Sequence, residues 1–261
     1  MRKRIGQFVD LIRTKLKEKK FRNNFTKKAK HFLPVMVFQM GKVASSSIYH
    51  SIKNIYKGYV IHFHSFDDRN ESVNVDVFYD YSVLKRQPVK IISLTREPVI
   101  RNISAFFQNF EYITGTPYSD SAFQVEQIKK EFLENKIMNH NIPLTWFDDN
   151  LLKYYGIDVY EKPFPESGWE ILKQGNAEVL LMKAEISNDL KASLVKKFLD
   201  CNDFVLFEHN TGEGKEYATA YKKFKTEVKL PKEYLDQMLN SRYARHFYSA
   251  KEIESSRKKW S

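Results

Sequence analysis

Residues 35–48 read VMVFQMGKVASSSI, and this stretch decides the fold. The short apolar run Val35–Phe38 is typical of a buried strand, and the segment after the serines is compatible with a helix. Gly41 and Lys42 lie between the two. A turn of this kind favours anion binding, because the first main-chain N–H groups of a helix and its dipole attract negative charge. An ordinary strand-to-helix turn with a serine cap explains the same residues, so the loop alone leaves both interpretations open.

The loop is not a Walker A motif, which requires a glycine five residues before the Gly-Lys pair and a Ser or Thr after it. Met36 and Val43 occupy those two positions. The hydroxyl that would bind magnesium beside the lysine is therefore missing, while the serines at 45–47 come slightly later. This pattern predicts a phosphate-like group held without a tightly bound metal.

The flanking segments predict an α/β fold with a mostly parallel sheet flanked by helices. We expect strands at 35–39, 59–64 and 89–95, a helix at 46–56 capped by Ser45 or Ser46, and a second helix from Pro98. Ligands of such sheets bind beyond the carboxyl ends of the strands. The loop at 41–47, His64 and Arg96 should therefore share one edge of the sheet.

The rest of the chain is predicted to form an outer layer. We expect helices at 121–138, at 190–199 and from about 217 onward, with strands at 178–182 and 204–207. Residues 141–168 contain three prolines and a terminal glycine and are expected to be irregular.

A second anion site is predicted after the third strand, where the sequence reads LTREPVIRNIS. Arg96 ends the strand, and Ser104 lies nearly two turns into the helix that begins at Pro98. A guanidinium can bind a phosphate through two parallel hydrogen bonds, and a serine hydroxyl can add a third.

The pairing of GKVASSS with this Arg…Ser spacing resembles the sulfotransferases that use 3′-phosphoadenosine-5′-phosphosulfate (PAPS), and among them bacterial capsular polysaccharide synthesis proteins related to carbohydrate sulfotransferases. The resemblance extends through WFDDNLLKYYGIDVY (146–160), TGEGKEYATAYKKF (211–224) and SRYARHFYSAKEIE (241–254), so it covers roughly residues 35–260. It implies a P-loop-like sulfotransferase fold. It also implies transfer of a sulfuryl group from PAPS to a saccharide or glycolipid hydroxyl, with no metal required.

The resemblance assigns the cofactor contacts by position. Lys42 would contact the 5′-phosphate and the bridging oxygen, and Arg96 with Ser104 would bind the 3′-phosphate. The residues that would wrap the 5′-phosphate are Val43, Ala44, Ser45, Ser46 and Ser47. The glycine-rich clamp of cytosolic sulfotransferases has no clear counterpart; Gly212-Glu213-Gly214-Lys215 comes nearest and is equally compatible with a turn.

The chemistry needs a general base for the acceptor hydroxyl, and histidine is suited to this near neutral pH. His62 and His64 fall on one face of the second predicted strand. We select His64 as the catalytic base beside Lys42, because it is nearer the strand end. A structural role, or Glu97, Asp148 or Asp149 as the base, remains an alternative. The aromatic and acidic cluster at 146–149 is either a sugar-binding surface or a packed loop.

Charge divides the chain into a basic arm at 1–30 and a single domain at 31–261. The arm contains twelve Lys and Arg and two acidic residues, whereas the rest has a net charge of only +1. The apolar residues of the arm recur at helical spacing: Ile5, Phe8, Val9, Ile12 and Leu16. This pattern predicts either a helix on an anionic membrane surface or a loosely packed basic extension. Nucleic acid is not expected, because no base-reading motif accompanies the charge.

The chain has one cysteine and no apolar run near the ~20 residues of a membrane span. We therefore expect it in the cytoplasm, at or near the inner face of the membrane. Three other functions remain open at this level: a nucleotide kinase or ATPase, a binding protein that keeps the fold without catalysis, and a basic lipid- or nucleic-acid-binding module.

Overall fold

A computed structural model describes residues 2–70, 72–117, 124–207 and 217–261, with only the helical backbone at positions 2–14 and 17. Its centre is a five-stranded sheet in the order β2-β1-β3-β5-β4. The strands are β1 Val35–Phe38, β2 Val60–Phe63, β3 Val89–Thr95, β4 Trp169–Gln174 and β5 Ala177–Lys183. Neighbouring strands are parallel, except that β4 runs antiparallel to β5. The predicted α/β fold with a mostly parallel sheet is confirmed.

Burial explains which segments form the middle of the sheet. All four residues of β1 are fully buried, and β3 and β5 are buried along nearly their whole length. β-Branched and aliphatic side chains dominate these strands, as expected where both faces of a parallel sheet are covered. β4 is more exposed and lies at the sheet edge.

The strand order creates a switch point beside β1. The chain leaves β1 toward β2 on one side, and β3 then pairs with the other side of β1. Ligand crevices in open α/β sheets form where the connections diverge in this way. The loops after β1 and β3 therefore meet at one edge of the sheet.

Helices cover both faces of the sheet. In chain order they are α1 Arg2–Ala29, α2 Ser45–Ile55, α3 Val73–Tyr79, α4 Pro98–Gln108, α5 Phe110–Thr114, α6 Val125–Glu134, α7 Ile142–Phe147, α8 Lys153–Tyr155, α9 Asn188–Leu199, α10 Ala218–Glu227, α11 Lys232–Leu239, α12 Arg242–Phe247 and α13 Ala250–Trp260. A 3-10 turn spans Phe66–Asn70, and π-helical turns span Asp80–Leu84 and Asp148–Leu152.

A second apolar cluster fixes α4, the helix that follows Arg96 and contains Ser104. Phe106 and Phe107 are fully buried against α6 and α10, where they contact Phe132 and Phe224 edge to face. Aromatic pairs in this geometry stabilise beyond the area they bury. The core holds α4 in a fixed position relative to β3.

Three secondary-structure predictions were wrong. Residues 142–155 are helical rather than irregular, because Pro143 stands in the first turn of α7, where proline is tolerated. Phe204–Phe207 has no strand partner, and the edge strand β4 was not foreseen because its burial lacks a clear alternation. Ala44 rather than a serine is the N-cap of α2.

The C-terminal part of α1 packs on the body. Phe25 is buried and contacts Phe78 and Tyr81 edge to face, and Phe21 contacts Tyr59 in the same way. In the described ranges, no helix has both the length and the apolar character that crossing a membrane requires.

Candidate active site

The loop between β1 and α2 has an unusual backbone. Lys42 and Ala44 both adopt left-handed conformations, with φ of 75° and 62°. Ala44 caps α2 without any side-chain hydrogen bond to the first turn. The first N–H groups of a helix have no intrahelical partner, so an uncapped first turn is a favourable place for an anion.

Two arginines from the β3–α4 region hold this loop. Arg96 donates from Nη1 to the main-chain oxygen of Lys42 at 2.8 Å, and Arg101 donates from Nε to that of Gly41 at 3.0 Å. Arg101 is buried, and burial lowers its pKa to about 10. The guanidinium of Arg101 therefore remains charged near neutral pH. The loop conformation is thus coupled to the neighbouring strand end, and two positive charges lie beside it.

Arg96 itself is fixed by a buried tyrosine. The hydroxyl of Tyr243 accepts a hydrogen bond from the main-chain N–H of Arg96 at 3.0 Å and donates to its carbonyl at 2.9 Å. Tyr243 is fully buried in α12. A residue near the C-terminus therefore sets the geometry at the end of β3, and local sequence pattern gives no sign of this.

Behind the loop lies a buried polar cluster formed by Gln39, Ser45 and His62. Gln39 Nε2 lies 2.8 Å from Ser45 Oγ and 3.0 Å from His62 Nε2, and Ser45 Oγ lies 2.9 Å from the same ring nitrogen. Burial and the neighbouring histidines lower the pKa of His62 to about 4, so its ring is neutral near pH 7. The Ser45 hydroxyl is already engaged within the protein. Any contact from Ser45 to an anion would come from its main-chain N–H.

His64 is oriented by hydrogen bonds on two sides. Its Nδ1–H donates to the carbonyl of Gln39 at 2.9 Å, and Trp146 donates from Nε1 to the His64 carbonyl at 2.8 Å. The first bond fixes the neutral tautomer, which leaves the lone pair on Nε2. Burial, with the charges of Arg101 and Lys42, lowers the pKa of His64. The ring is therefore a neutral proton acceptor at neutral pH.

A cavity of about 600 Å³ opens beside His64 and Lys42. Lys42 donates from Nζ to Gln108 Oε1, which brings the β1–α2 loop and α4 together in the cavity wall. A polar wall of the cavity comes from α7, the segment just before it, the π-helical turn and α8. It includes Asn139, Thr145, Asp149, Asn150 and Lys153. The cavity lining therefore contains hydrogen-bond donors and acceptors, and side chains of positive and of negative charge.

The alternative bases occupy different places. Glu97 accepts from the N–H groups of Val99 and Ile100 and so caps α4, while Asp148 lies 3.8 Å from Arg242. Burial raises the pKa of Glu97. Asp149 lines the same cavity as His64. Of these three acids, Asp149 is the one that lines the cavity of His64.

The aromatic half of the 146–149 cluster is packed. Trp146 is 5% exposed and contacts Phe38 edge to face, and Phe147 is buried against Tyr243. These two rings are therefore packed, although on helix α7 rather than in a loop. The role of Trp146 at the cavity is to hold the His64 backbone.

A basic cavity of about 680 Å³, unforeseen from the sequence, lies on α10 and α13. Lys222, Lys225 and Lys259 line it. Burial lowers the pKa of Lys225, and the charge of Arg96 lowers it further. Burial and the charge of Lys225 likewise lower the pKa of Lys259. Such crowding of positive charge near Arg96 favours an anionic ligand. The run YKKFK at 221–225 was the available signal.

Three predicted elements remain as predictions. Ser104 is half-buried on α4, three residues after Arg101, and its pairing with Arg96 toward one phosphate is untested. Ser46 and Ser47 lie in the first turn of α2. The segment Gly212-Glu213-Gly214-Lys215 lies outside the described residues. Among the described residues, no three His, Cys, Asp or Glu side chains come together as a metal site would require.

Comparison with known proteins relates part of the chain to a described family. No curated protein and no solved structure shows significant similarity to the chain. The matching family model covers just under half of the chain. The matched part includes the polar cavity wall and α10, whereas Lys42, His64 and Arg96 precede it. Over residues 121–249 the chain is similar to the family described as "Putative capsular polysaccharide synthesis protein".

Proposed function

We propose that the protein is a sulfotransferase that uses PAPS to sulfate a hydroxyl of a saccharide, in the synthesis of a capsular or other surface polysaccharide. The observation that carries the proposal is the environment of His64. Its Nδ1–H is bound to Gln39 O, so Nε2 accepts protons at the cavity, next to Gly41 and Lys42. A proton acceptor beside a cationic anion loop suits the attack of a hydroxyl on an anionic donor.

The residues present fit a donor with two separate anionic groups. The uncapped first turn of α2 and Lys42 offer the first set of donors, and Arg96 with Lys225 and Lys259 offers the second. The hydrogen bond from Arg96 to the main-chain oxygen of Lys42 connects these two groups of anion-binding residues. PAPS carries a 5′-phosphosulfate and a 3′-phosphate, and when bound it supplies the sulfuryl group.

Each side chain then has a defined task. His64 Nε2 removes the proton from the acceptor hydroxyl, which typically accelerates such reactions by ~10²–10⁴-fold. Lys42 can leave Gln108 and place its ammonium against the negative charge that develops on the leaving phosphate. Arg101 keeps the loop in place through Gly41 O while remaining buried.

The cavity wall and the family similarity support a saccharide as the acceptor. Thr145, Asp149, Asn150 and Lys153 supply short-range hydrogen-bonding groups on one side of the cavity. Such groups bind the many hydroxyls of a sugar, and specificity comes from their pairing. The similarity to a capsular polysaccharide synthesis family over 121–249 covers these four residues.

A transfer assay tests the proposal. The full chain is incubated with radiolabelled PAPS and a panel of saccharides and lipid-linked glycans, and labelled product is quantified. We expect labelling of at least one saccharide, lost in His64→Gln. The matched control is His31→Gln, an exposed histidine outside the cavity, which should retain full transfer. Labelling that persists in His64→Gln overturns the role of the base. Hydrolysis of ATP without any sulfuryl transfer would instead favour a kinase-like enzyme.

A further inference from the structure

Helix α1 has one face on the body and another that is turned away from it. Phe21 and Phe25 form the docked face through their ring contacts with Tyr59 and Phe78. Arg22 strengthens the same face by binding Asp76 of α3 and Glu18 one turn earlier. Over the part of α1 whose side chains are described, the rest of the protein therefore covers this side of the helix.

The apolar stripe of the arm does not continue this docked face. At about 100° per residue, positions 5, 8, 9, 12 and 16 fall about half a turn away from Phe21 and Phe25. Leu16 bears this out, since it is 61% exposed. At Leu16, where the stripe reaches the described side chains, the body of the protein therefore leaves the helix uncovered.

The charge around the stripe indicates what covers it. Lys19, Lys20 and Lys27 are exposed on the same side of the helix as Leu16. Both acidic residues of the helix, Asp10 and Glu18, fall on the opposite half. An apolar stripe flanked by lysines and free of acids has the composition of helices that lie in the plane of an anionic membrane surface.

We propose that α1 binds an anionic membrane surface through the face that contains Leu16, Lys19 and Lys20. Apolar side chains on this face would enter the boundary between headgroups and acyl chains, and the lysines would bind anionic headgroups. A second copy of this chain is a poorer partner, because two arms with a net charge of +10 each repel one another. A nucleic acid would pair with the lysines but would leave the stripe in water. The proposal is independent of the sulfuryl transfer.

Vesicle flotation with the full chain tests this. We expect binding to phosphatidylcholine vesicles that contain phosphatidylserine, weakening as salt is raised, and little binding to phosphatidylcholine alone. Leu16→Asp and the double variant Lys19→Glu/Lys20→Glu should each weaken partitioning at least about tenfold, because each opposes one of the two driving forces. Both changes are at exposed positions, so the thermal melting of the variants should match that of the wild type.

The matched control is Lys196→Glu/Lys197→Glu, which reverses two adjacent exposed lysines on α9 and should bind as the wild type does. An equal loss of vesicle binding in this control would show that binding depends on net charge alone, and would overturn the assignment of the membrane-binding face. Binding that is unchanged in Leu16→Asp would do the same. Concentration-dependent dimerisation without lipid, abolished by Leu16→Asp, would assign the face to a second copy. Oligonucleotide binding without vesicle binding would assign it to nucleic acid.

Discussion

The carbonyl oxygen of Gln39 accepts the Nδ1 proton of His64 at 2.9 Å. The two residues are neighbours because Phe38 pairs with Phe63 in the parallel ladder, so the next residue of each strand lies alongside. The tautomer of His64 is therefore set by main-chain geometry rather than by another side chain. A histidine fixed in this way presents Nε2 to the cavity in every molecule.

Replacing His64 by Ala should lower turnover about 10²–10⁴-fold, since the variant loses the group that takes the acceptor proton. Donor affinity should change little, because Lys42, Arg96 and the first turn of α2 stay in place. Steady-state kinetics together with calorimetric titration of adenosine 3′,5′-bisphosphate separates the two effects. A parallel loss of bisphosphate affinity would show that His64 binds the donor instead.

The pH dependence of kcat/KM should follow the same ring. Because burial lowers the pKa of His64 below the usual 6.5, the rate should rise with pH below that value and be level above it. The control is Asp149→Asn, which should keep the rise of the rate at acidic pH, because the proposal assigns the base to His64 and not to this cavity acid. Loss of the pH-dependent rise of kcat/KM in Asp149→Asn would show that the Asp149 carboxylate is the general base.

His62 should make stability depend on pH. Its folded-state pKa is about 4, against about 6.5 in the unfolded chain, so the unfolded state binds more protons between these values. The stabilisation is present in full above pH 6.5 and is lost as pH falls toward 4, by up to roughly 3 kcal/mol. Urea unfolding at several pH values measures it. The control is His62→Gln, which should show a smaller slope in this interval; an unchanged slope would exclude His62.

Gly41→Ala should impair turnover while leaving the fold intact. An added Cβ would lie 3.5 Å from His64 Nε2, an ordinary contact distance that nonetheless covers the proton-accepting atom. We expect at least about a tenfold loss in kcat, with the free energy of unfolding changed by less than about 1 kcal/mol. In the background of His64→Ala the added methyl group should have no further effect. An additive loss in the double variant would mean that Gly41 acts on the loop rather than on His64.

Ala44→Gly should stabilise the protein. Ala44 holds a φ of 62°, a conformation that costs a residue with a Cβ roughly 1–2 kcal/mol, whereas glycine adopts it freely. After the entropic cost of glycine in the unfolded chain, a net gain of about 0.5–1 kcal/mol remains. Thermal unfolding checks the change, and Ala244→Gly, in the interior of α12, should destabilise instead. A loss of stability in Ala44→Gly would contradict the strained loop.

Local patterns were sufficient to predict the centre of the fold. The apolar run at 89–95 and Pro98 correctly predicted the bounds of β3 and the start of α4, because a strand of buried β-branched residues and a proline in the first turn are local signals. The position of the loop, His64 and the end of β3 on one edge followed from parallel pairing alone. The edge strand β4 was missed because its stability comes from pairing with β5 rather than from its own pattern.

The site depends on contacts that no local pattern shows. Tyr243 holds Arg96 across 147 positions of the chain, and Trp146 holds His64 across 82. The engagement of Ser45 by His62 likewise requires the loop to fold back on β2. The residue types at the strand ends could be predicted from the sequence. The tautomer of His64, the hydrogen-bond partners of the site residues and the position of the α10 lysines near Arg96 depend on tertiary packing.

The binding of adenosine 3′,5′-bisphosphate tests the central claim most directly. Melting temperatures are measured with the bisphosphate, Mg-ATP and Mg-GTP for wild type, Lys42→Ala, Lys225→Ala and the control Lys196→Ala. At a bisphosphate concentration about 100-fold above Kd, the wild type and the control should gain ~2.7 kcal/mol, a shift of several degrees that is reduced in the other two variants. A shift with Mg-ATP but none with the bisphosphate would contradict the proposal of a sulfotransferase.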